Sequence, residues 1–472
     1  MSMDKSYIHL FNSVAEYEEA RKNNYYEPWV SYTEGVGGGL AYDKTEHEKL
    51  LEEPLTFSIL DDNTTLSIGQ GPEPGPPVSF AEKTIEYSTD KENWISITSS
   101  TGGTSFGPFA AGTEVYLRGN NDTLSNFENG MYRSCCKFNS TGRFAAKGNI
   151  MSLLSSTGYT TMTEFVSGGV FTQLFYQCTG LTSAENLILP ATTLAQGCYY
   201  YMFQGCTNLA IAPELPAATL AGSCYAEMFQ GCTNLAIAPE LPATTLGSYC
   251  YNDMFQGCTS LTAAPSILPA TTLAEGCYTY MFAGCTSLTS APALPATTLT
   301  GSCYSNMFRN CTSLTAAPVL PATTLAASCY YCMFYGCSGL TSAPALPATT
   351  LSNSCYSSMF YGCKSLTTAS ELPASTMTSG CYNNMFNGCT SLTTAPALPA
   401  TTLAQSCYRG MFSGCSSLNY IKCLATNISA SNCTTDWVNG VSSTGTFVKA
   451  TSMTSWTTGA NGIPSNWTVQ DA

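Results

Sequence analysis

The sequence predicts a solenoid of mixed α and β structure, preceded by a β-sandwich and a small N-terminal segment. Three observations lead to this expectation. A 26-residue unit recurs through the second half of the chain, a run of Pro and Gly interrupts the first half, and only 10% of the 472 residues are charged. A unit that recurs at such a period cannot bury its apolar side chains alone, whereas stacked copies share one core.

The first predicted element is a small acidic attachment segment over residues 1–68. Ser13 and Glu16 have the spacing of a helix capping box, and no Gly or Pro follows before the Asn pair at 23–24. Residues 69–77 read Gly-Gln-Gly-Pro-Glu-Pro-Gly-Pro-Pro, which cannot continue a helix or a central strand. We expect a stiff linker there.

The second predicted element is a β-sandwich over residues 78–168, where short alternating segments are separated by turns rich in Gly, Asn and Ser. Six residues are expected to be core members: Trp94, Ile95, Ile97, Val115, Tyr116 and Leu117. The solenoid is predicted to span residues 169–423. Residues 148–175 are expected to cover its first coil. Residues 424–472 are predicted to form a C-terminal cap.

The third predicted element is the solenoid itself, in which Cys-Tyr pairs mark each unit. They begin at residues 198, 224, 250, 277, 303, 329, 355, 381 and 407, and a second cysteine follows each of them eight residues later. The unit reads Cys-Tyr-x-x-Met-Phe-x-Gly-Cys-Thr-Ser-Leu-Thr-x-Ala-Pro-x-Leu-Pro-Ala-Thr-Thr-Leu. Its first part has the i, i+3, i+4 spacing of a short helix, which the Gly would end. Leu-Thr-x-Ala predicts a short strand, and the Pro-rich arch returns the chain.

The unit resembles the BspA-like leucine-rich repeats, whose core "MFxGCxSLTS" matches residues 281–290, Met-Phe-Ala-Gly-Cys-Thr-Ser-Leu-Thr-Ser. The resemblance implies a leucine-rich-repeat solenoid with a short strand and a short helix per coil, and adhesion at a surface through protein or glycan contacts. The chain departs from the family in having Cys-Tyr where Asp or Asn often precedes an apolar residue. It also has Ala-Pro-x-Leu-Pro in place of an aspartate-rich turn.

Both flanks, residues 6–34 and 444–472, are similar to modules of virion proteins of phages that infect gut bacteria. This second resemblance implies that residues 1–68 attach to other virion proteins and that the solenoid projects outward, and it is compatible with a homotrimer. The opening residues contain no apolar leader, and the chain contains no run of 18 apolar residues. We therefore expect a virion protein or, as the alternative, a bacterial cell-surface adhesin whose export signal was removed.

The distribution of charge excludes two classes of partner. The net charge is −14, and residues 174–423 contain 7 acids and 4 bases. Because no basic patch is available to neutralise phosphates, we expect neither nucleic-acid binding nor attraction to anionic membrane, and no membrane insertion.

The residues that usually support catalysis are also missing from the solenoid. His9 and His47 are the only histidines, so a Ser-His or Cys-His pair is excluded there. The acids are scattered singly, and Glu214 and Glu240, at equivalent positions of neighbouring units, are expected to be exposed turn residues. The sequence thus predicts no enzyme, no cofactor and no metal site.

Two repeated features leave alternatives open. The 24 cysteines are interpreted as small buried apolar residues, with disulfides as the alternative. The threonines of the Pro-Ala-Thr-Thr-Leu arches, such as Thr192 and Thr219, are expected to hydrogen-bond to backbone groups of the arch. An ice-binding array is the outlying alternative.

Binding is predicted at positions that differ between units, namely the two after Cys-Tyr and the one after Met-Phe. Variation marks solvent exposure first, but Tyr, Gln and Asn there also suit stacking on sugars and hydrogen bonding to their hydroxyls. The predicted binding residues are Tyr200, Tyr201, Gln204, Gln230, Asn252, Gln256, Tyr280, Arg309, Tyr331, Tyr335, Tyr361, Asn383, Asn384 and Asn387. The predicted function is a non-enzymatic virion fibre or decoration protein that adheres to a host-surface, mucosal or environmental glycan or protein.

Overall fold

The computed structural model describes residues 31–34, 40–43, 45–70, 82–128, 131–165 and 167–472. The predicted capping box at Ser13 and Glu16 and most of the predicted linker lie outside these residues. Regular structure in the described part is mostly strand. No helix in that part is both long and apolar enough to cross a membrane.

Among the described residues before the repeats, the elements are one short helix and eleven strands, with two 3₁₀ turns at Ile150–Leu153 and Tyr159–Thr161. Thr45 caps the helix through a reciprocal pair of hydrogen bonds with Glu48. In chain order the elements are β1 Ser31–Glu34, β2 Leu40–Asp43, α1 Glu46–Glu52, β3 Leu55–Ile59, β4 Thr64–Gln70, β5 Thr84–Ser88, β6 Ile95–Thr98, β7 Thr104–Phe109, β8 Glu114–Gly119, β9 Ser125–Glu128, β10 Met131–Ser140 and β11 Phe144–Asn149.

The elements within and after the repeats are six further strands. They are β12 Leu181–Ile188, β13 Thr193–Leu194, β14 Thr219–Leu220, β15 Tyr420–Cys423, β16 Thr446–Lys449 and β17 Thr468–Asp471. Strands β1 and β2 form an antiparallel hairpin. Two larger sheets have the orders β7-β4-β10-β9 and β12-β11-β3-β8-β5-β6, and all their pairings are antiparallel except that of β11 with β12.

These two sheets cross the domain boundaries that the sequence predicted. Strands β3 and β4 belong to the predicted attachment segment 1–68, yet they pair with β8, β10 and β11 inside the sheets. At the other end, β12 lies in the first solenoid coil and extends the six-stranded sheet. The predicted ends at residues 68 and 168 are therefore wrong, because these strands complete the hydrogen bonding of their neighbours.

The sheets share an aromatic core that continues into the solenoid. Phe57 of β3 meets Phe138 of β10 edge to face, with ring centroids 5.1 Å apart. Both rings also contact Phe175, at 5.9 Å each, and Phe175 stacks on Phe203 of the first full repeat at 5.4 Å. The first coil is thus covered by the sheets without an intervening linker.

The core prediction for the sheets is partly wrong. Val115 and Leu117 are fully buried, but Ile95 is 53% exposed because β6 is the edge strand of its sheet. Trp94 and Tyr116 lie half-buried on the outer side, where Arg118 and Lys91 cover their rings.

The solenoid coils contain no helix where the sequence predicted one. Burial from Cys198 to Cys206 follows a two-in, two-out pattern with a period of four rather than 3.6. Every fourth residue, such as Tyr201 at φ 58° and Gly205 at φ 71°, adopts the left-handed conformation, which ends one turn and begins the next. The part of each coil from the Cys-Tyr pair to the second cysteine is therefore a chain of consecutive β-turns.

Backbone hydrogen bonds alternate between the coil and its neighbour. The amide of Met202 donates to Tyr199 O within one turn at 3.2 Å, whereas the amide of Phe203 donates to Met228 O of the next coil at 2.9 Å. The same alternation recurs through the last full repeat, where Phe412 N donates to Trp437 O. Half of the amides thus close turns and the other half tie the coils together.

The inward side chains form continuous ladders along the solenoid. Phenylalanine rings of successive coils stack nearly parallel, for example Phe203 on Phe229 at 5.4 Å, and the buried tyrosines stack likewise, with Tyr251 on Tyr278 at 5.7 Å. The eighteen ladder cysteines are buried free thiols. Those of the second ladder donate to a phenylalanine carbonyl of the preceding coil, as Cys311 Sγ does to Phe282 O at 3.1 Å.

The predicted strand of each unit is reduced to single β-bridges in most coils, such as Ile237 with Ala263 and Ala316 with Ser342. Longer strands occur at the two ends, where β12 joins the six-stranded sheet and β15, β16 and β17 form a parallel sheet. Ala-Pro follows immediately in most units, so extended pairing has no room to develop there.

Trp437 closes the solenoid in the predicted C-terminal cap. It is fully buried, lies 6.2 Å from the Tyr408 ring and 6.3 Å from the Phe412 ring, and therefore covers the ends of both aromatic ladders. Its indole N–H donates to Gly462 O at 2.8 Å, and Trp456 stacks on its outer side at 5.5 Å.

Candidate functional site

The variable positions of the repeat lie together on one surface because of the two-in, two-out turns. Cys, Tyr, Met and Phe point inward in pairs, so the residues between these pairs point outward. Stacking the coils aligns the outward residues in three columns, which we call the turn face.

Each column contains one residue from every unit that has a Cys-Tyr pair. The first column comprises Tyr200, Ala226, Asn252, Thr279, Ser305, Tyr331, Ser357, Asn383 and Arg409. The second comprises Tyr201, Glu227, Asp253, Tyr280, Asn306, Cys332, Ser358, Asn384 and Gly410. The third comprises Gln204, Gln230, Gln256, Ala283, Arg309, Tyr335, Tyr361, Asn387 and Ser413. All fourteen predicted binding residues belong to these columns.

Amide and carboxyl groups bond to one another on the first three coils. Gln204 Nε2 donates to Glu227 Oε2 at 3.0 Å and also to the Gln230 amide oxygen. Gln230 Nε2 donates to Gln256 Oε1 at 2.7 Å, and the Tyr200 hydroxyl donates to Glu227 Oε1 at 3.3 Å. These side chains are therefore held in a fixed row along the solenoid axis.

Two partly buried carboxyl groups stand beside this row. Burial raises the pKa of Glu227, although hydrogen bonds from neighbouring Tyr and Gln side chains oppose the shift. Burial, together with the charge of Glu227, raises the pKa of Asp253 to about 7. This end of the turn face thus changes its charge near neutral pH.

A cation and two aromatic rings form a stack on the middle coils. The Arg309 guanidinium lies 4.4 Å from the centre of the Tyr335 ring, and Tyr335 stacks on Tyr361 at 4.6 Å with the ring planes 3° apart. Arg309 also donates to Asn306 Oδ1 at 3.2 Å. All three stacked side chains are half-buried, so an edge of each remains open to solvent.

A polar cleft of about 390 Å³ lies at the C-terminal end of the turn face. Three coils contribute to it, and the predicted residues Asn383, Asn384 and Asn387 form one wall. All of its lining residues are polar except a glycine: Asn383, Asn384, Asn387, Arg409, Gly410, Ser413, Thr435, Asp436 and Asn439.

The cleft exists because its middle coil has small residues where both neighbours have larger ones. Gly410 lies between Asn384 and Asp436 in the second column, and Ser413 lies between Asn387 and Asn439 in the third. A Cβ on Gly410 would lie 2.1 Å from the Asn384 side-chain oxygen, so the glycine leaves room for that side chain to lie where it does. Asn383 Oδ1 is buried beside the cleft and has no hydrogen-bond partner among the described residues.

One wall of this cleft was not predicted from the sequence. Thr435, Asp436 and Asn439 lie in a coil that lacks the Cys-Tyr and Met-Phe pairs, so it was assigned to the cap. The available signal was the spacing, since Cys433 follows Cys407 by 26 residues and Gly440 follows Gly414 by 26. Trp437 replaces the methionine in that coil because the ladders end there.

The arch threonines do not form the predicted backbone hydrogen bonds. Thr298 and Thr324 are exposed and their residues form a parallel β-bridge, but within the described residues the arch threonine hydroxyls donate to no backbone group. Hydroxyl ladders occur instead after the conserved leucine, where Thr367 Oγ1 donates to Thr341 O at 3.2 Å. The ice-binding alternative for the arches stays a prediction.

Comparisons with known proteins identify the repeat. The family model described as BspA type leucine rich repeat region, with six copies, matches residues 170–288, 223–357 and 302–434, together more than half of the chain. No curated protein matches the chain.

Two solved structures are also similar. One is a leucine-rich repeat protein from Bacteroides ovatus, 17% identical, with 66% of this chain and 88% of that one covered and a TM-score of 0.29. The other is a leucine rich cell surface protein from Faecalibacterium prausnitzii, 16% identical, with 56% and 76% covered and a TM-score of 0.25. The assignment rests on the repeat match, and by that match the chain belongs to the family of proteins with BspA-type leucine-rich repeats.

Proposed function

We propose that this protein is a non-enzymatic surface adhesin whose turn face binds an extracellular glycan or protein. One observation carries the proposal. The inward ladders repeat almost unchanged from coil to coil, whereas the outward columns differ in charge, size and aromatic character. The ladders therefore serve as a rigid support, and the differences between coils supply specificity.

The chemistry of the turn face supports a sugar-bearing ligand. The Tyr335–Tyr361 stack offers aromatic edges, and Gln256 and Asn387 offer amide donors and acceptors. The cleft beside Asn384 is lined almost wholly by hydrogen-bonding groups. Pyranose rings present hydroxyls and an apolar face together, which this mixture of groups accommodates.

Location at a bacterial cell surface follows from the family, whose BspA-like members are surface-exposed adhesive proteins. The virion hypothesis rests on the two flanks and on the missing apolar leader, and the family match covers residues 170–434, which leaves both flanks outside. The surface adhesin is therefore the better supported function. Virion partners and a homotrimer remain predictions of the sequence.

Location can be tested by immunogold labelling of cells that produce the protein and of phage particles released from them. Labelling of the cell envelope with unlabelled particles is the expected result. Gold on purified particles and none on cells would restore the virion hypothesis.

Ligand binding can be tested on an array of neutral glycans, acidic glycans and extracellular-matrix proteins. We expect the wild-type protein to bind a restricted set and the variant Tyr335→Ala/Tyr361→Ala to lose at least tenfold in affinity for it. The matched control is Thr298→Ala/Thr324→Ala, which removes two exposed side chains from the arches and should bind normally. Equal binding by all three proteins would contradict the proposal, as would release of sugars from bound glycans.

A further inference from the structure

Charged side chains are unevenly distributed along the turn face. Glu227 and Asp253 lie on early coils, whereas Arg309 and Arg409 lie on later ones, with Asp436 at the end of the cleft. These two arginines are the only ones between residues 174 and 423. The later half of the face thus has a net positive charge, although the whole chain has a net charge of −14.

Neither arginine is neutralised by the protein. The ion pairs among the described residues lie outside the turn face, and none includes Arg309 or Arg409. Arg309 is positioned by the Tyr335 ring and by one hydrogen bond to Asn306, which leaves most of its five N–H donors unused. Arg409 is exposed and lines the cleft. Two uncompensated guanidinium groups in a nearly uncharged solenoid favour an anionic ligand.

The groups between the arginines suit an extended chain. Arg309 and Arg409 belong to coils four steps apart, which corresponds to about 19 Å at the usual spacing of neighbouring strands. Tyr335, Tyr361 and Asn387 occupy the intervening coils of the third column. A short oligosaccharide lying along the solenoid axis would pass both arginines and both tyrosine edges.

We infer that the turn face from Arg309 to the cleft binds an acidic oligosaccharide, a glycan whose sugar rings carry carboxylates. The inference deepens the proposed function and rests on it. A guanidinium group pairs with a carboxylate through two parallel hydrogen bonds, which a neutral sugar cannot match. Asp436 disfavours a ligand carboxylate beside itself, and its own carboxylate accepts hydrogen bonds from sugar hydroxyls in that part of the cleft.

The test uses the full chain and pairs of ligands that differ only in charge. Uronate-containing and sialylated oligosaccharides are each compared with their carboxyl-reduced forms, in which the carboxylate is a neutral alcohol. The variants are Arg309→Gln, Arg409→Gln and their combination. Lys364→Gln is the control, because it removes the same charge from an exposed position just after the second cysteine of its coil, outside the three columns.

We expect at least one acidic oligosaccharide to bind about tenfold more tightly than its reduced form, as charge-assisted hydrogen bonds predict. Each arginine substitution should remove most of that preference, and Lys364→Gln should keep it. The member that binds shows whether the carboxylate belongs to a uronate or a sialate. Equal affinity for the acidic and reduced forms, or an acidic preference unaffected by both arginine substitutions, overturns the inference.

The experiments distinguish failure of this inference from failure of the proposed function. If neutral glycans bind and Tyr335→Ala/Tyr361→Ala abolishes their binding, the turn face remains the binding surface and only the acidic ligand is wrong. If no glycan or protein on the array depends on turn-face residues, both proposals fail.

Discussion

At the scale of single residues, burial decides the chemistry of the titratable side chains. The same thiol group occurs at two positions of every coil, and burial raises the pKa of Cys258 and of Cys337 to about 12. On the turn face, partial burial has the corresponding effect on a carboxyl group, since it raises the pKa of Asp253 to about 7. The sequence identified which residues repeat, but the burial of each side chain could not be assigned without the correct turn geometry.

The thiols are expected to be unreactive in the folded protein. With a pKa of about 12, roughly one Cys258 side chain in ten thousand is a thiolate at pH 8, and only the thiolate reacts rapidly. A thiol reagent such as Ellman's should therefore modify the native protein slowly, and should modify all 24 cysteines rapidly after denaturation. Fast native reaction of several cysteines would show that the ladders are accessible.

Asp253 is expected to make stability depend on pH. Its pKa is higher in the folded state than the ordinary value of 3.8, so the folded state binds the proton more tightly and loses stability as pH rises from about 4 through 7. Asp253→Asn should reduce this loss and should be more stable than the wild type at pH 8. Urea denaturation at pH 5 and pH 8 measures the effect, with Glu371→Gln, an exposed carboxyl outside the turn face, as the control. Unchanged pH dependence in Asp253→Asn would contradict the assignment.

At the scale of the coil, the period of the buried residues explains why the predicted helix is absent from the structure. Cys-Tyr-x-x-Met-Phe satisfies the i, i+3, i+4 spacing of a helix, but the second cysteine eight residues after the first extends the pattern to a period of four. An α-helix would drift from that period, whereas four-residue turns maintain it. The position before the second cysteine is not the predicted helix end but a left-handed residue in every coil, glycine in all of them except at Asn310. Turn geometry, unlike core membership, was not recoverable from apolar spacing alone.

Glycine before the second cysteine is expected to contribute to stability through its left-handed conformation. Gly362 has φ 70°, and the nearest atom to an added Cβ would be 3.8 Å away, so an alanine there is strained without a clash. Gly362→Ala should cost about 1–2 kcal/mol of unfolding free energy. Gly301→Ala, at a position without positive φ where an added Cβ would make only an ordinary contact with Ala327 O at 3.9 Å, should be neutral or slightly stabilising. Equal changes in unfolding free energy for the two variants, measured by urea titration, would mean that the turns do not need a glycine at the left-handed position.

At the scale of the whole molecule, the solenoid is a one-dimensional stack closed at both ends. The N-terminal end is covered by the two sheets through Phe138 and Phe175, and the C-terminal end by Trp437. The repeat and its approximate limits were predictable because identical units must stack. The boundaries of the sheets were not predictable, because β3 and β12 join them by pairing with strands that are distant in the chain. The cleft was predicted only in part, because its last coil has lost the repeated residues.

Loss of the C-terminal cap is expected to loosen nearby coils first. Trp437→Ala removes a fully buried ring and should cost about 3–5 kcal/mol. Coils depend mainly on their neighbours, so hydrogen exchange should accelerate in residues 381–440 while residues 198–258 keep their protection. Trp94→Ala, on the outer side of a sheet, is the control and should leave both regions unchanged. A uniform loss of protection along the solenoid would contradict a stack of locally coupled coils.

The central claim is that the turn face is the binding surface. Hydroxyl-radical footprinting tests it most directly, with the array ligand that gives the strongest signal added at saturation. We predict that oxidation of Tyr331, Tyr335 and Tyr361 falls on binding, while Ile237 and Val319, which are 65% and 78% exposed outside the turn face, are oxidised as before. Protection of Ile237 and Val319 with unchanged oxidation of the three tyrosines would contradict the claim.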